Sequence, residues 1–229
     1  MYELIVINLA LALSFSFVTF LVLRKSRNIS SLAFSWTTFL FALSTFFGTI
    51  EESYNAHVLT GTTPQIMTVV DNIIFPLAPL GLLFSSFVIK RGYDAWKNFT
   101  LWVFTVIYVL VEVVLFALRF IQDFSIINEI MNNAVWNALV TIPLLLSIAY
   151  FFSIYQEMDD ERNKMLFVVL GVTIGTLGQF LNVFGIIMVN ESLVLLSFVV
   201  IVVGVLFVSL SFMNITSVQR DTASQPTIN

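Results

Sequence analysis

The chain contains no cysteine and a single histidine, His57, in 229 residues. Disulfides, thiolate metal sites, a cysteine nucleophile, bis-histidine haem ligation and multi-histidine metal centres are therefore excluded, and no metal is expected. Charge is scarce as well, at 10% of residues, and the formal net charge of −4 leaves no basic surface for nucleic acid. Lys25, Lys90, Lys97 and Lys164 are the lysines, and all fall in polar connections. No apolar segment thus offers an amine for a retinal Schiff base, and no cofactor is expected. Seryl chemistry has no G-x-S-x-G elbow and no suitably placed histidine.

Hydrophobicity fills the space that charge leaves. The composition is 59% hydrophobic and the mean hydropathy is +0.97, values that a soluble domain of this size could not carry on its surface. Crossing a ~30 Å hydrocarbon core takes about 20 predominantly apolar residues. Seven stretches qualify: Leu4 to Leu23, Leu32 to Ile50, Ile66 to Ile89, Phe99 to Leu118, Ala134 to Tyr155, Met165 to Val189 and Leu193 to Phe212. If the first runs inward, Arg24, Lys25, Arg27, Lys90, Arg91, Lys97, Arg162, Lys164 and Arg220 are all cytoplasmic, and only Arg119 is outside. The expected fold is all-α: a multi-pass protein of the cell membrane, a bundle of seven transmembrane helices with the N-terminus outside and the C-terminus inside. Glu3 precedes the first apolar run and Arg24-Lys25-Ser26-Arg27 follows it, the reverse of a cleaved signal peptide, so that run reads as a retained anchor.

The connections are too short for a second domain, so residues 1–212 read as one transmembrane domain and 213–229 as a short disordered cytoplasmic tail without an enzymatic module. Tyr2, Tyr54, Tyr93, Trp96, Trp102, Trp136 and Tyr155 lie near span ends, where amphipathic rings favour the headgroup layer. No internal repeat is visible, and the Pro64-Gln65 pair lies outside the third span, which separates this chain from the sugar transporters built of two three-helix repeats.

Asp71 and Glu112 are the carboxylates within the apolar spans. An unpaired charge there costs at least ~2.5 kcal/mol. Counting along their helices places both roughly 8–10 Å below the outer boundary. Asn72, Asn137, Gln179 and Asn182 enter at a similar level. This layer reads in two ways: an outward-open pocket for a small polar or cationic ligand, or an interhelical hydrogen-bond network that fixes packing. Above it, Glu51, Glu52 and His57 form an acidic rim with Asp123 and Glu129, able to attract cations or simply a solvated loop.

Pro76 and Pro79 predict a kink in the third span. In the sixth, Gly171, Gly175, Gly178 and Gly185 recur with Asn182 at four-three-four-three spacing, a smooth stripe that lets a neighbouring helix approach closely. An internal neighbour is expected, and the oligomeric state is not encoded here.

The stretches FALSTFFGTIEES and VDNIIFPLAPLGLLFSSFVIKR resemble the second and third helices of the seven-helix membrane sensor region that precedes some histidine kinases. The likeness rests on Glu51 or Glu52 at the outer end of one helix, Pro76 in the next, and Lys90-Arg91 after an aromatic-rich inner end. It covers roughly a quarter of the chain. That family continues into cytoplasmic signalling domains, whereas this sequence ends at Asn229, so the resemblance implies a stand-alone sensor or an accessory subunit acting through a cytoplasmic or membrane partner. Glu51-Glu52 at a helix end also resembles the integral-membrane carotenoid cyclases. The expected function is a receptor-like or sensory membrane protein, with a small-solute transporter or an intramembrane lipid or isoprenoid enzyme as alternatives. The mostly apolar inner halves of the spans argue against a continuous polar path.

The topology is directly testable because the chain has no cysteine of its own. Single cysteines at Asn55 and Asn163, probed with an impermeant thiol reagent on intact cells, should be labelled and spared respectively; the opposite pattern overturns the charge-based orientation.

Overall fold

A computed structural model describes residues 2–25, 29–55, 57–59, 65–120, 129–158 and 162–223. Among them there are seven α-helices and no strand: α1 (Tyr2–Lys25), α2 (Ile29–Asn55), α3 (Gln65–Arg91), α4 (Phe99–Phe120), α5 (Glu129–Glu157), α6 (Arg162–Ile187) and α7 (Glu191–Ala223). By length and composition, α1, α2, α3, α5, α6 and α7 are long and apolar enough to cross a membrane. Helix α7 continues to Ala223, into the polar stretch that the sequence reads as a tail. Between α3 and α4 the chain forms a 3-10 segment, Gly92–Lys97. Gly92 at φ +57° ends α3 in the left-handed conformation that a side chain disfavours. Asn98 then caps α4, its Oδ1 accepting the Leu101 amide at 3.1 Å.

Six helices close into a ring in the order α1, α2, α3, α5, α6, α7, with α7 returning to α1. Helix α4 stands outside, against α3. Neighbours α3 and α5 run parallel, because Lys90 near the end of α3 meets Glu157 at the end of α5 at 2.8 Å, with Ser153 also bonded to the lysine. Parallel neighbours need a return segment between them, and α4 is that segment. Its start is anchored where Leu101 joins Leu83, Phe87, Val88 and Ala95 in a buried cluster, and the Trp102 indole donates to the Trp96 carbonyl at 2.8 Å.

The α6–α7 contact is the closest in the ring. A Cβ built on Gly171 would fall 2.6 Å from the Gly204 carbonyl oxygen, one on Gly178 would fall 2.8 Å from the Ser197 carbonyl, and one on Gly185 would fall 2.9 Å from the Val194 amide. The glycine stripe therefore has its partner inside the same chain. Gly175 departs from the rest: a Cβ there meets nothing within 4 Å.

Alanine substitution should separate the two kinds of glycine. Gly178→Ala must push backbone from backbone and is expected to cost about 1–3 kcal/mol. Gly175→Ala meets no obstacle and removes a residue that costs a helix roughly 1 kcal/mol, so its thermal midpoint should match or exceed wild type. Equal loss in both variants would refute this assignment of faces.

Candidate ligand site within the six-helix ring

The middle turns of all six ring helices surround a cavity of ≈ 110 Å³. Its wall is mostly apolar, with Phe15, Phe34, Phe41, Phe75, Leu144 and Val205 among the lining side chains. Among the described residues it is lined by no acidic or basic side chain; the polar groups there are Thr37, Thr38, Thr176 and Gln179. Each threonine hydroxyl has a carbonyl of its own helix within reach: Thr37 that of Ala33 at 3.1 Å, Thr38 that of Phe34 at 3.2 Å, and Thr176 that of Val172 at 2.7 Å. Hydroxyls also meet between helices, Thr37 with Ser85 at 2.9 Å and Thr19 with Thr38 at 2.8 Å. Back-bonding of this kind lets Ser and Thr sit in an apolar interior without an unsatisfied donor.

At the α5–α6 wall, Asn137 is the hub of an amide network. Its Oδ1 accepts from Gln179 Nε2 at 3.0 Å and from Asn182 Nδ2 at 3.2 Å, and its main-chain carbonyl accepts from the same Gln179 nitrogen at 3.3 Å. A main-chain carbonyl can only accept, so Gln179 must present its nitrogen to Asn137 and turn its oxygen the other way. Gln179 and Asn182 are buried. Three residues of the expected polar layer thus come together, and Gln179 connects them to the cavity.

Glu112 stands elsewhere. It lies on α4, 6% exposed, with both carboxylate oxygens buried and without a hydrogen-bond partner among the described residues. Tyr108, one turn earlier, directs its hydroxyl to the Pro76 carbonyl of α3 at 3.3 Å. Since α4 touches the ring at α3, Glu112 belongs to the α3–α4 seam and not to the ring interior. Asp71 and Asn72 occupy the early turns of α3, but their side chains lie outside the described residues, as do that of Glu129 and the whole of Asp123. On the expected rim, Glu51 and Glu52 end α2 half-buried and His57 is exposed, with φ of 56°.

Two groups of residues escaped the sequence reading. Asn8 is buried on α1 beside Gly48 of α2, whose Cβ would lie 3.7 Å from its side-chain nitrogen. The signal was available, since an amide within an apolar run is conspicuous. The cavity threonines gave none, because Ser and Thr are scattered through every span.

Comparison with family models, curated proteins and solved structures finds no match to this chain.

A double-mutant cycle tests the separation of the two polar places. Asn137→Ala and Gln179→Ala should couple by about 1 kcal/mol, near the upper part of the range for interhelical hydrogen bonds in membranes. Asn137→Ala and Glu112→Gln should be additive within about 0.5 kcal/mol. Strong coupling of the second pair in thermal or denaturant unfolding would restore a single continuous layer.

Proposed function

We propose that this chain is a receptor-like or sensory protein of the cell membrane, crossing it seven times with its N-terminus outside, and signalling through a cytoplasmic or membrane partner. One observation carries the reading: the cavity touches every helix of the ring, so an occupant bears on six helices at once. A ligand that fits one arrangement of those helices better than another shifts the balance between arrangements by its difference in affinity. The change has a route inward, because α3 and α5 both line the cavity and meet again at their far ends through Lys90, Ser153 and Glu157. Below the cavity, Val22, Phe34, Phe151, Ile154, Met165 and Val168 fill that end with a continuous apolar core. Such a seal favours signalling over passage of a polar solute. The resemblance to the sensor regions of histidine kinases supports the same reading, and the lipid bilayer is the one partner that the composition demands.

The test uses purified protein in lipid nanodiscs with an environment-sensitive fluorophore on Asn163→Cys, an exposed position beside the proposed inner face. Water-soluble amines, alcohols, phenols and carboxylic acids are screened by thermal shift and by emission together. The receptor reading expects a compound that moves both with one concentration dependence. At 100 times its dissociation constant, the stabilisation should approach ~2.7 kcal/mol. Compounds that stabilise the protein without altering emission, yet cross proteoliposomes that contain it, would replace this reading with a transporter.

A further inference from the structure

The chemistry of the cavity wall is specific enough to name what it would hold. We infer that the ring cavity is a binding site for a small, largely apolar molecule bearing one hydrogen-bond donor, a phenol or compact alcohol no larger than a single aromatic ring. The inference rests on the receptor reading for its biological meaning, but its chemical basis is independent of that reading.

Size comes first. Cavities of ~150 Å³ lined by aliphatic and aromatic side chains take up benzene or xenon. The ≈ 110 Å³ here is room for about one ring. Charge comes next: among the described residues the lining has no cation to meet an anion and no carboxylate to meet an amine, and burying an unpaired charge in such a place is prohibitive.

Polarity decides the rest. A ligand with only acceptors would need a donor from the wall. The threonine hydroxyls have backbone carbonyls of their own helices to receive their protons, and Gln179 Nε2 is turned to Asn137. What remains is acceptor capacity, above all Gln179 Oε1, for which no hydrogen bond is found among the described residues. The Asn137 carbonyl fixes that orientation, so the wall is built to accept a hydrogen bond and not to give one. A site of this kind favours a ligand O–H over the same molecule with the proton replaced by methyl, because the methylated form has no proton to give the acceptor.

The experiment compares para-fluorophenol with para-fluoroanisole, followed by fluorine NMR on the full chain in nanodiscs, with empty nanodiscs subtracted. Wild type should bind the phenol saturably and prefer it about tenfold over the anisole. Gly175→Val places new methyl groups in the open space that a Cβ meets there, and should keep wild-type helicity while losing saturable binding of both probes. Gln179→Met should retain anisole binding and lose the preference. Equal affinity of wild type for the two probes overturns the donor requirement. Undiminished phenol binding by folded Gly175→Val places the site elsewhere, and the absence of saturable binding to wild type removes the ligand class altogether. The fluorophore at position 163 separates this inference from the function it rests on. Phenol binding without an emission change preserves the site and refutes the receptor, whereas an emission response to another chemical class in the screen, with no phenol binding, does the reverse.

Discussion

The close backbone approach of α6 and α7 sets the dimensions of everything else in the molecule. Helices with ordinary side chains pack about 8–10 Å apart. At Gly171, Gly178 and Gly185 there is no room even for a methyl group, and Gly204 completes the fit from the α7 side, where a Cβ would lie 2.6 Å from the Gly175 amide. Dispersion over so close a contact holds the pair together where lipid tails would remove any hydrophobic preference for association. With α7 drawn onto α6, α1 and α5 lean on either side of the pair and the ring closes through α1 and α7. Gly175 lies between these contact points in sequence but turns toward the centre, where it contributes no side chain. The cavity and the tight seam are thus two products of one glycine pattern.

Polar groups in this interior follow a consistent economy. Many single hydroxyls have a carbonyl of their own helix within reach, as Ser147 has that of Pro143 at 2.7 Å, and some, such as Thr37 with Ser85, also meet across helices. Amides have two donors and an acceptor and cannot be satisfied so locally, which is why Asn137, Gln179 and Asn182 find one another across the α5–α6 seam. The carboxylate of Glu112 has no such partner among the described residues, and it sits on the helix with the least described protein around it.

Much of this was legible in the sequence. Helix existence follows from the length of the apolar runs, since a backbone in hydrocarbon has few other ways to satisfy itself. The glycine stripe announced a close neighbour, but spacing alone grouped Gly175 with the others, because a four-three repeat covers a face wide enough to divide between a partner and a cavity. Depth counting grouped Glu112 with Asn137 for a similar reason: rise along a helix gives a residue's level and says nothing of its bearing around the bundle. Whether seven apolar helices form a bundle of seven or a ring of six with one outside depends on which neighbours are parallel. That is a property of the assembled helices, absent from any one of them. The capping Asn98 and the left-handed Gly92 were readable as punctuation, yet the 3-10 segment between them lies in a stretch that reads only as a polar connection.

The position of α4 has a consequence for how this protein meets its solvent. Val103, Val106, Ile107, Leu110, Val113 and Val114 all face outward, and the helix rests on the ring mainly through its first turns and the Tyr108–Pro76 contact. For the six ring helices, surrounding protein supplies much of the apolar environment; for α4 it supplies little. Detergent extraction therefore acts unequally on the two parts. A micelle that solvates the ring adequately can still loosen the seam that buries Glu112, admitting water to the carboxylate while the ring keeps its closure. The choice of detergent or lipid is, for this fold, a choice about α4.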